Sequence, residues 1–316
     1  MFTLPEELHP LALGNKKTVF DILFAAAAET LQEIAHDDKH LGAQLGFTAV
    51  LHTWGQNLLF HPHLHCVVTG GGLSPEGDRW IPARKNYFLP VRVLGALFRG
   101  KFLHRLHDAY RQGRLALGAG TAPLAHPPHW RALLDGLYRK AWVVYAKTPF
   151  DGTEHVFRYL ARYTHRVAIA NRRIVAFQNA RVIFTLKDHA EEGKRKRMTL
   201  DVVEFLRRFL LHVLPKGFSR IRHYGLYAAR NVDTRCAIAR HRLAPQARTP
   251  NPQDMHPVKE DRPWWERLRA RTGIDLMACP HCRAGRLVRQ TAVERITEVW
   301  LAPTGTDPPF PDAWGR

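Results

Sequence analysis

The run His61-Pro62-His63-Leu64-His65-Cys66-Val67-Val68-Thr69-Gly70 constrains the fold more than any other stretch of this chain. In a strand, successive side chains point to opposite faces, so His63 and His65 share one face and Leu64 takes the other. If Leu64 enters a core, the imidazoles belong to the open face. Two imidazoles side by side can hold a divalent cation weakly; a third ligand and a substrate oxygen would complete the shell. Gln56 lies seven residues before His63 and could reach back across the turn joining two strands. Its carbonyl oxygen suits a hard cation such as Mg2+ or Mn2+. His52 and His61 compete for the same place, and His61 shares the face of His63 by parity.

A second constellation lies almost a hundred residues downstream. The pattern from Glu154 to Arg166 predicts a helix in which Tyr159 and Tyr163, four apart, are neighbours on one face. They stand about 6 Å apart along the axis. Arg158, Arg162 and Arg166 form a second stripe turned about 100° away. The tyrosines could be core residues beside Val156 and Leu160, but a cationic ladder next to them argues for an anionic ligand. A phenol with an ordinary pKa near 10 is a poor nucleophile. A metal ion polarising a phosphate, with cations nearby, would make its attack feasible.

Charge gives the same direction. Lys and Arg number 47 against 28 Asp and Glu, a formal net charge of +19. Phosphates attract such a surface and release counterions on binding, which favours a nucleic-acid partner over an anionic membrane. No segment approaches the ~20 apolar residues of a spanning helix. Asp21 and Glu29 interrupt the run from Val19 to Leu31, and no signal peptide is visible. The expectation is a cytoplasmic protein without a membrane partner. Four cysteines are too few for a disulfide framework in 316 residues. Cys279 and Cys282 have the spacing of a zinc knuckle, but Zn2+ would need further ligands, such as Cys236 or His281, brought close by the fold.

The pattern of elements predicts an α+β protein. Phe2 to Pro5 reads as a strand end. Asn15 would cap a helix from Lys16 to Ala35. Strands are expected at Gly46–Trp54 and Leu59–Thr69, and a helix at Val91–Arg111. Gly113 to His129 reads as a loop, and Leu133 to Tyr145 mixes helix and strand. A hairpin pairs Arg173–Phe177 with Arg181–Leu186. Gly193 to Arg197 is expected as a charged turn, followed by a short strand to Asp201. An amphipathic helix runs from Val202 to Leu214, where Pro215 ends it. Prolines 245, 250, 252, 257 and 263 then mark a linker, so residues 1–242 are expected as one domain and 243–316 as an extension. Basic and aromatic residues interleave at Phe98–Arg111, Arg158–Arg173 (with Arg172 and Arg173 at its end) and Arg220–Arg230, a composition suited to unpaired bases and phosphates. Lys194 to Arg197 could contact a backbone without reading sequence.

The histidine strand, with Tyr159-Leu160-Ala161-Arg162-Tyr163 downstream, resembles the two-tyrosine transposases of rolling-circle insertion sequences, members of the HUH endonuclease superfamily. Phe2 to Pro5, Gly46 to Gln56, Leu214 to Phe218 and Arg222 to Gly225 extend the resemblance over roughly residues 1–230. It implies a central antiparallel sheet flanked by helices, with the histidines on a middle strand facing a tyrosine helix. It implies cleavage of single-stranded DNA at transposon ends and target, in which a tyrosine forms a 5′-phosphotyrosine and a 3′-hydroxyl is released. The second tyrosine would serve a second cleavage or strand transfer. On this mapping His63 and His65 bind the metal, and Tyr159 and Tyr163 are the nucleophiles. Gln56 is the third ligand by analogy with the acidic or amide ligand of related replication proteins. Members usually carry an N-terminal cysteine-rich zinc module, so this chain is expected to be a truncated copy. A catalytically inactive DNA-binding fragment is the main alternative, and an RNA-binding protein a further one.

Overall fold

A computed structural model describes residues 1–84, 89–147, 156, 168–188 and 194–243, with eight single positions between 265 and 278. The chain divides into two compact units, Met1–Ala247 and Arg248–Arg316, and the elements below belong to the first.

Two strands carry the site. β2 (Gly46–Trp54) and β3 (Phe60–Val68) pair antiparallel, and with β1 (Phe2–Thr3) and a later strand, β9 (Ile221–Gly225), they form a sheet in the order β1-β3-β2-β9. The histidine strand is therefore internal. Register places Leu51 opposite Leu64 and Ala49 opposite Cys66, while Val50 faces His65 and His52 faces His63. Paired residues share a face, so the alternation sends Leu51, Leu64, Ala49 and Phe47 to one side and the imidazoles to the other.

The apolar side is covered by helices. α1 (His9–Gly14) leads into α2 (Lys16–His36), and α2 packs against α3 (Val91–Arg111). Phe20 and Phe24 of α2 and Phe98 and Phe102 of α3 are fully buried in the same cluster as Leu51 and Leu64. Phe2 meets Phe98 edge to face at 4.9 Å, which ties the edge strand to α3. Leu64 has no exposed surface. Leu64→Ala is expected to cost about 2–5 kcal/mol through lost burial and a residual cavity, read as a lower denaturant midpoint with an unchanged slope.

β4 (Gly71–Leu73) and β5 (Trp80–Pro82) form a small hairpin. α4 (Pro127–Arg139) follows α3, and Val144 bridges to Phe2. A second sheet consists of β6 (Ile174–Gln178), β7 (Arg181–Asp188) and β8 (Lys194–Asp201), in that order. α5 (Val202–Leu210) closes its apolar face, with Phe205 meeting Phe184 at 5.9 Å. α6 (Arg235–Leu243) packs on the β4–β5 hairpin. Helices flanking antiparallel sheets make the α+β class that the sequence predicts. None of the described helices is long and apolar enough to cross a membrane.

Three local expectations are revised. Asn15 precedes α2, but its side chain caps nothing there. Its amide donates to the Leu11 and Ala116 carbonyls, each at 3.0 Å, and its Oδ1 accepts from the Ala116 N–H at 2.7 Å. Buried at a corner, it holds the distant loop after α3 instead of the helix end. That loop also ends early, because α4 starts at Pro127, a residue suited to a first helical turn. The charged turn expected at Gly193–Arg197 is strand from Lys194 onward, paired in register with β7 from Asp188↔Lys194 to Arg181↔Asp201. Ladder pairing decides the matter there; the local run of charge does not.

Gly225 ends β9 in the left-handed region, at φ 59°. A Cβ at that position would collide with the Leu45 carbonyl oxygen, which accepts the Leu226 N–H at 2.9 Å. Gly225→Ala is expected to lower stability by about 2–4 kcal/mol, since both conformation and space oppose it. Hydrogen exchange should show β9 loosened from β2 before the rest of the sheet.

Candidate metal centre

Three imidazoles meet on the open face of the sheet. One ligand atom from each of His52, His63 and His65 lies within 4.8 Å of the others, the one group of histidine, cysteine or acidic side chains so gathered among the described residues. Strand register achieves this, since His63 and His65 are alternate residues of β3 and His52 is the register partner of His63.

The geometry fits a shared cation. His63 Nδ1 lies 2.7 Å from the His61 carbonyl, so Nδ1–H donates to it and Nε2 keeps a lone pair. That Nε2 is 3.1 Å from His65 Nε2. Two nitrogens bound to one cation at about 2.1 Å each would lie about 3.0–3.4 Å apart. A metal-ligating histidine commonly gives its other N–H to a carbonyl, as His63 does. The His52 ring stacks on Trp54 at 4.6 Å and 19°, and lies 4.6 Å from the His65 ring.

Burial keeps the His63 and His65 rings neutral. Desolvation is the largest influence on both. His63 is pushed down to about 3, its neighbouring imidazoles adding to the effect against the opposing bond to His61. His65 is pushed down to about 2, with His63 and His52 again adding. Their lone pairs are therefore available well below neutral pH. Thr3, the register partner of His63 on the same face, has a buried hydroxyl oxygen that finds no hydrogen-bond partner among the described residues. A water or phosphate oxygen on a bound cation would supply one.

The turn between β2 and β3 is clamped from outside. Leu58 adopts φ 62°, unusual for a leucine, with its side chain fully buried beside Phe184 and Val182. His212, buried beyond α5, donates from Nε2 to the Leu58 carbonyl at 3.0 Å, and its Nδ1 lies 3.2 Å from the Thr53 hydroxyl. Arg208 donates to the Asn57 carbonyl at 3.1 Å. Arg173, expected on the nucleic acid, donates to the Gln56 carbonyl and, at 2.7 Å, to that of Thr185. These bonds fix the turn that sets His52 against His63, and they give Arg173 intramolecular work.

Gln56 is exposed in this turn. The imidazole that joins His63 and His65 is that of His52, one of the two competitors. His61 lies 5.2 Å, ring to ring, from His63 and 6.1 Å from His9. Arg172 is exposed. Tyr159 and Tyr163 lie outside the described residues, as do Arg158, Arg162, Arg166, Cys279 and Cys282. Trp54, His212 and Thr3 belong to the surroundings of the centre and were not singled out from the sequence. Only the parity of Trp54 with His52 hints at one of them, and a β-bulge intervenes. His223 sits on the same sheet face, bonded through Nδ1 to the Thr48 hydroxyl at 2.9 Å.

Residues 46–243 match the family model Y2_Tnp, described as "Putative transposase". Two relatives agree. The chain is 46% identical over 297 residues to "Putative transposase y4qJ" of Sinorhizobium fredii, an alignment covering 94% of this chain and 73% of that protein. It is 30% identical over 234 residues to the "Transposase for insertion sequence element IS801" of Pseudomonas savastanoi pv. phaseolicola, covering 73% of this chain and 54% of that one. The chain thus spans about half the length of the second relative. No solved structure matches.

Proposed function

Because this chain belongs to the Y2_Tnp family of transposases, we propose that it cleaves and rejoins single-stranded DNA at insertion-sequence ends with a tyrosine nucleophile and a divalent cation, in rolling-circle-type transposition. The observation that carries this reading is the His52–His63–His65 cluster on the open face of an internal strand pair. Residues 1–242 form the catalytic unit, and 243–316 an extension.

His52, His63 and His65 would hold the cation. A bound cation supplies Lewis-acid polarisation of a phosphate oxygen. Three imidazole donors favour a transition metal over Mg2+, so of the two ions expected from the sequence Mn2+ is the better fit. Trp54, through its stack on His52, and the His61 carbonyl, through its bond to His63, orient the rings before DNA arrives.

Tyr159 or Tyr163 attacks the scissile phosphorus. The phenol loses its proton, an O–P bond forms, the P–O3′ bond breaks, and the departing 3′ oxygen takes a proton to become a hydroxyl. The product is a 5′-phosphotyrosine, and the second tyrosine serves the second cleavage or strand transfer. Arg158, Arg162 and Arg166 would hold neighbouring phosphates, and Arg172 the strand beyond.

The test uses the full chain, single-stranded oligonucleotides labelled at either end and covering the ends of the insertion sequence, and a denaturing gel. A covalent protein–DNA band carrying the 3′-end label, with the 5′-labelled fragment released bearing a 3′-hydroxyl, present with Mn2+ and absent with chelator, is expected. Nicking without a covalent band, or a covalent band carrying the 5′-end label, overturns the mechanism.

A further inference from the structure

The second sheet has a face that the cleavage chemistry does not use. On β7 and β8, Arg181, Ile183, Thr185 and Lys187 alternate toward one side, opposite Asp201, Thr199, Arg197 and Arg195 in register. The other side carries Val182 and Phe184, buried under α5. The cations of the first side are exposed. Lys187, Arg195 and Arg197 form no ion pair or hydrogen bond with any described residue.

This arrangement is unfavourable by itself. Lys187 lies directly opposite Arg195 across the ladder, and like charges so placed destabilise a strand pair. Charge along an edge strand often serves only to block edge-to-edge pairing. That explanation covers β8 but not Lys187 and Arg181, which sit on the central strand β7. Arg181 has Asp201 opposite it; an anion lying across both strands accounts for Lys187, Arg195 and Arg197.

We infer that the exposed face of β7 and β8 binds the phosphate backbone of double-stranded DNA, holding a duplex segment while a single strand is cut elsewhere. The inference rests on the transposase reading. Duplex is favoured over single strand by composition: the paired positions of this face carry cations, threonines, Ile183 and, at one end, Asp201, but no aromatic ring on which an unpaired base could stack. Threonine hydroxyls and guanidinium groups are ordinary phosphate donors. Alternate strand residues lie about 6.7 Å apart, close to the rise of two nucleotides along one strand of a duplex.

The test compares the wild-type chain with a Lys187→Thr/Arg195→Thr/Arg197→Thr variant, threonine being chosen because it suits an exposed strand. A control, Arg92→Gln/Arg131→Gln/Arg139→Gln, removes the same charge from exposed positions on α3 and α4. Binding to a short blunt duplex and to a mixed-sequence single strand is measured against salt, without divalent metal. Circular dichroism verifies that both variants are folded. The threonine variant should lower the slope of log affinity against log salt for duplex by about 3, one per lost phosphate contact. Its single-strand binding and the control's duplex slope should stay at wild-type values. An unchanged duplex slope, an equal fall for single strand, or an equal fall in the control overturns the inference. Because no metal and no cleavage enter, these outcomes are distinct from failure of the covalent-adduct assay.

Discussion

His63→Ala is expected to weaken binding of Mn2+ by at least about 100-fold and to abolish metal-dependent DNA cleavage. The size follows from position. His63 is the middle of the three imidazoles: it pairs with His52 across the strands and stands two residues from His65, with its Nε2 aimed at that of His65. Loss of a partner that merely orients a ligand already costs about 10–100-fold in affinity; loss of a ligand costs more. The fold should survive, because the core side of the strand belongs to Leu64 and Cys66. Titration calorimetry with Mn2+, beside a circular dichroism spectrum, gives the answer. Unchanged affinity in a folded variant would place the cation elsewhere.

The paired substitution Tyr159→Phe/Tyr163→Phe is expected to remove the covalent protein–DNA band altogether. Phenylalanine keeps the ring, so packing and base stacking persist and DNA affinity should change little, while the attacking oxygen is gone. Each single variant should retain the chemistry of the remaining phenol, so one of them should still form an adduct while strand transfer fails. Metal affinity should stay at the wild-type value in all three. If the double variant nicks DNA at the wild-type rate, water is the nucleophile and the tyrosine pair has another role.

Much of the centre was legible because strand parity is a strict rule. His63 and His65 had to share a face once Leu64 entered the core, and the pairing of two successive strands made His52 a credible partner. Choosing among Gln56, His61 and His52 needed the register, which depends on where the turn closes and where β2 bulges between His52 and Trp54. Local sequence does not encode that. The same limit applies to Thr3, brought across from His63 by an edge strand whose pairing no periodicity reveals. Lys194 to Arg197 shows the converse case. Four consecutive cations read as a turn, yet pairing with β7 extends them into strand and splits them between two faces. Asn15 looked like a helix cap and instead ties down Ala116, about a hundred residues away in the chain.

The most direct measurement is X-ray absorption spectroscopy of the full chain loaded with one equivalent of Mn2+, with and without a single-stranded oligonucleotide. Three imidazole ligands should appear in the metal's coordination sphere, falling to two in His52→Ala, with phosphate scattering added when DNA is bound. A sphere of oxygens alone, or one indifferent to His52, would contradict a three-histidine centre.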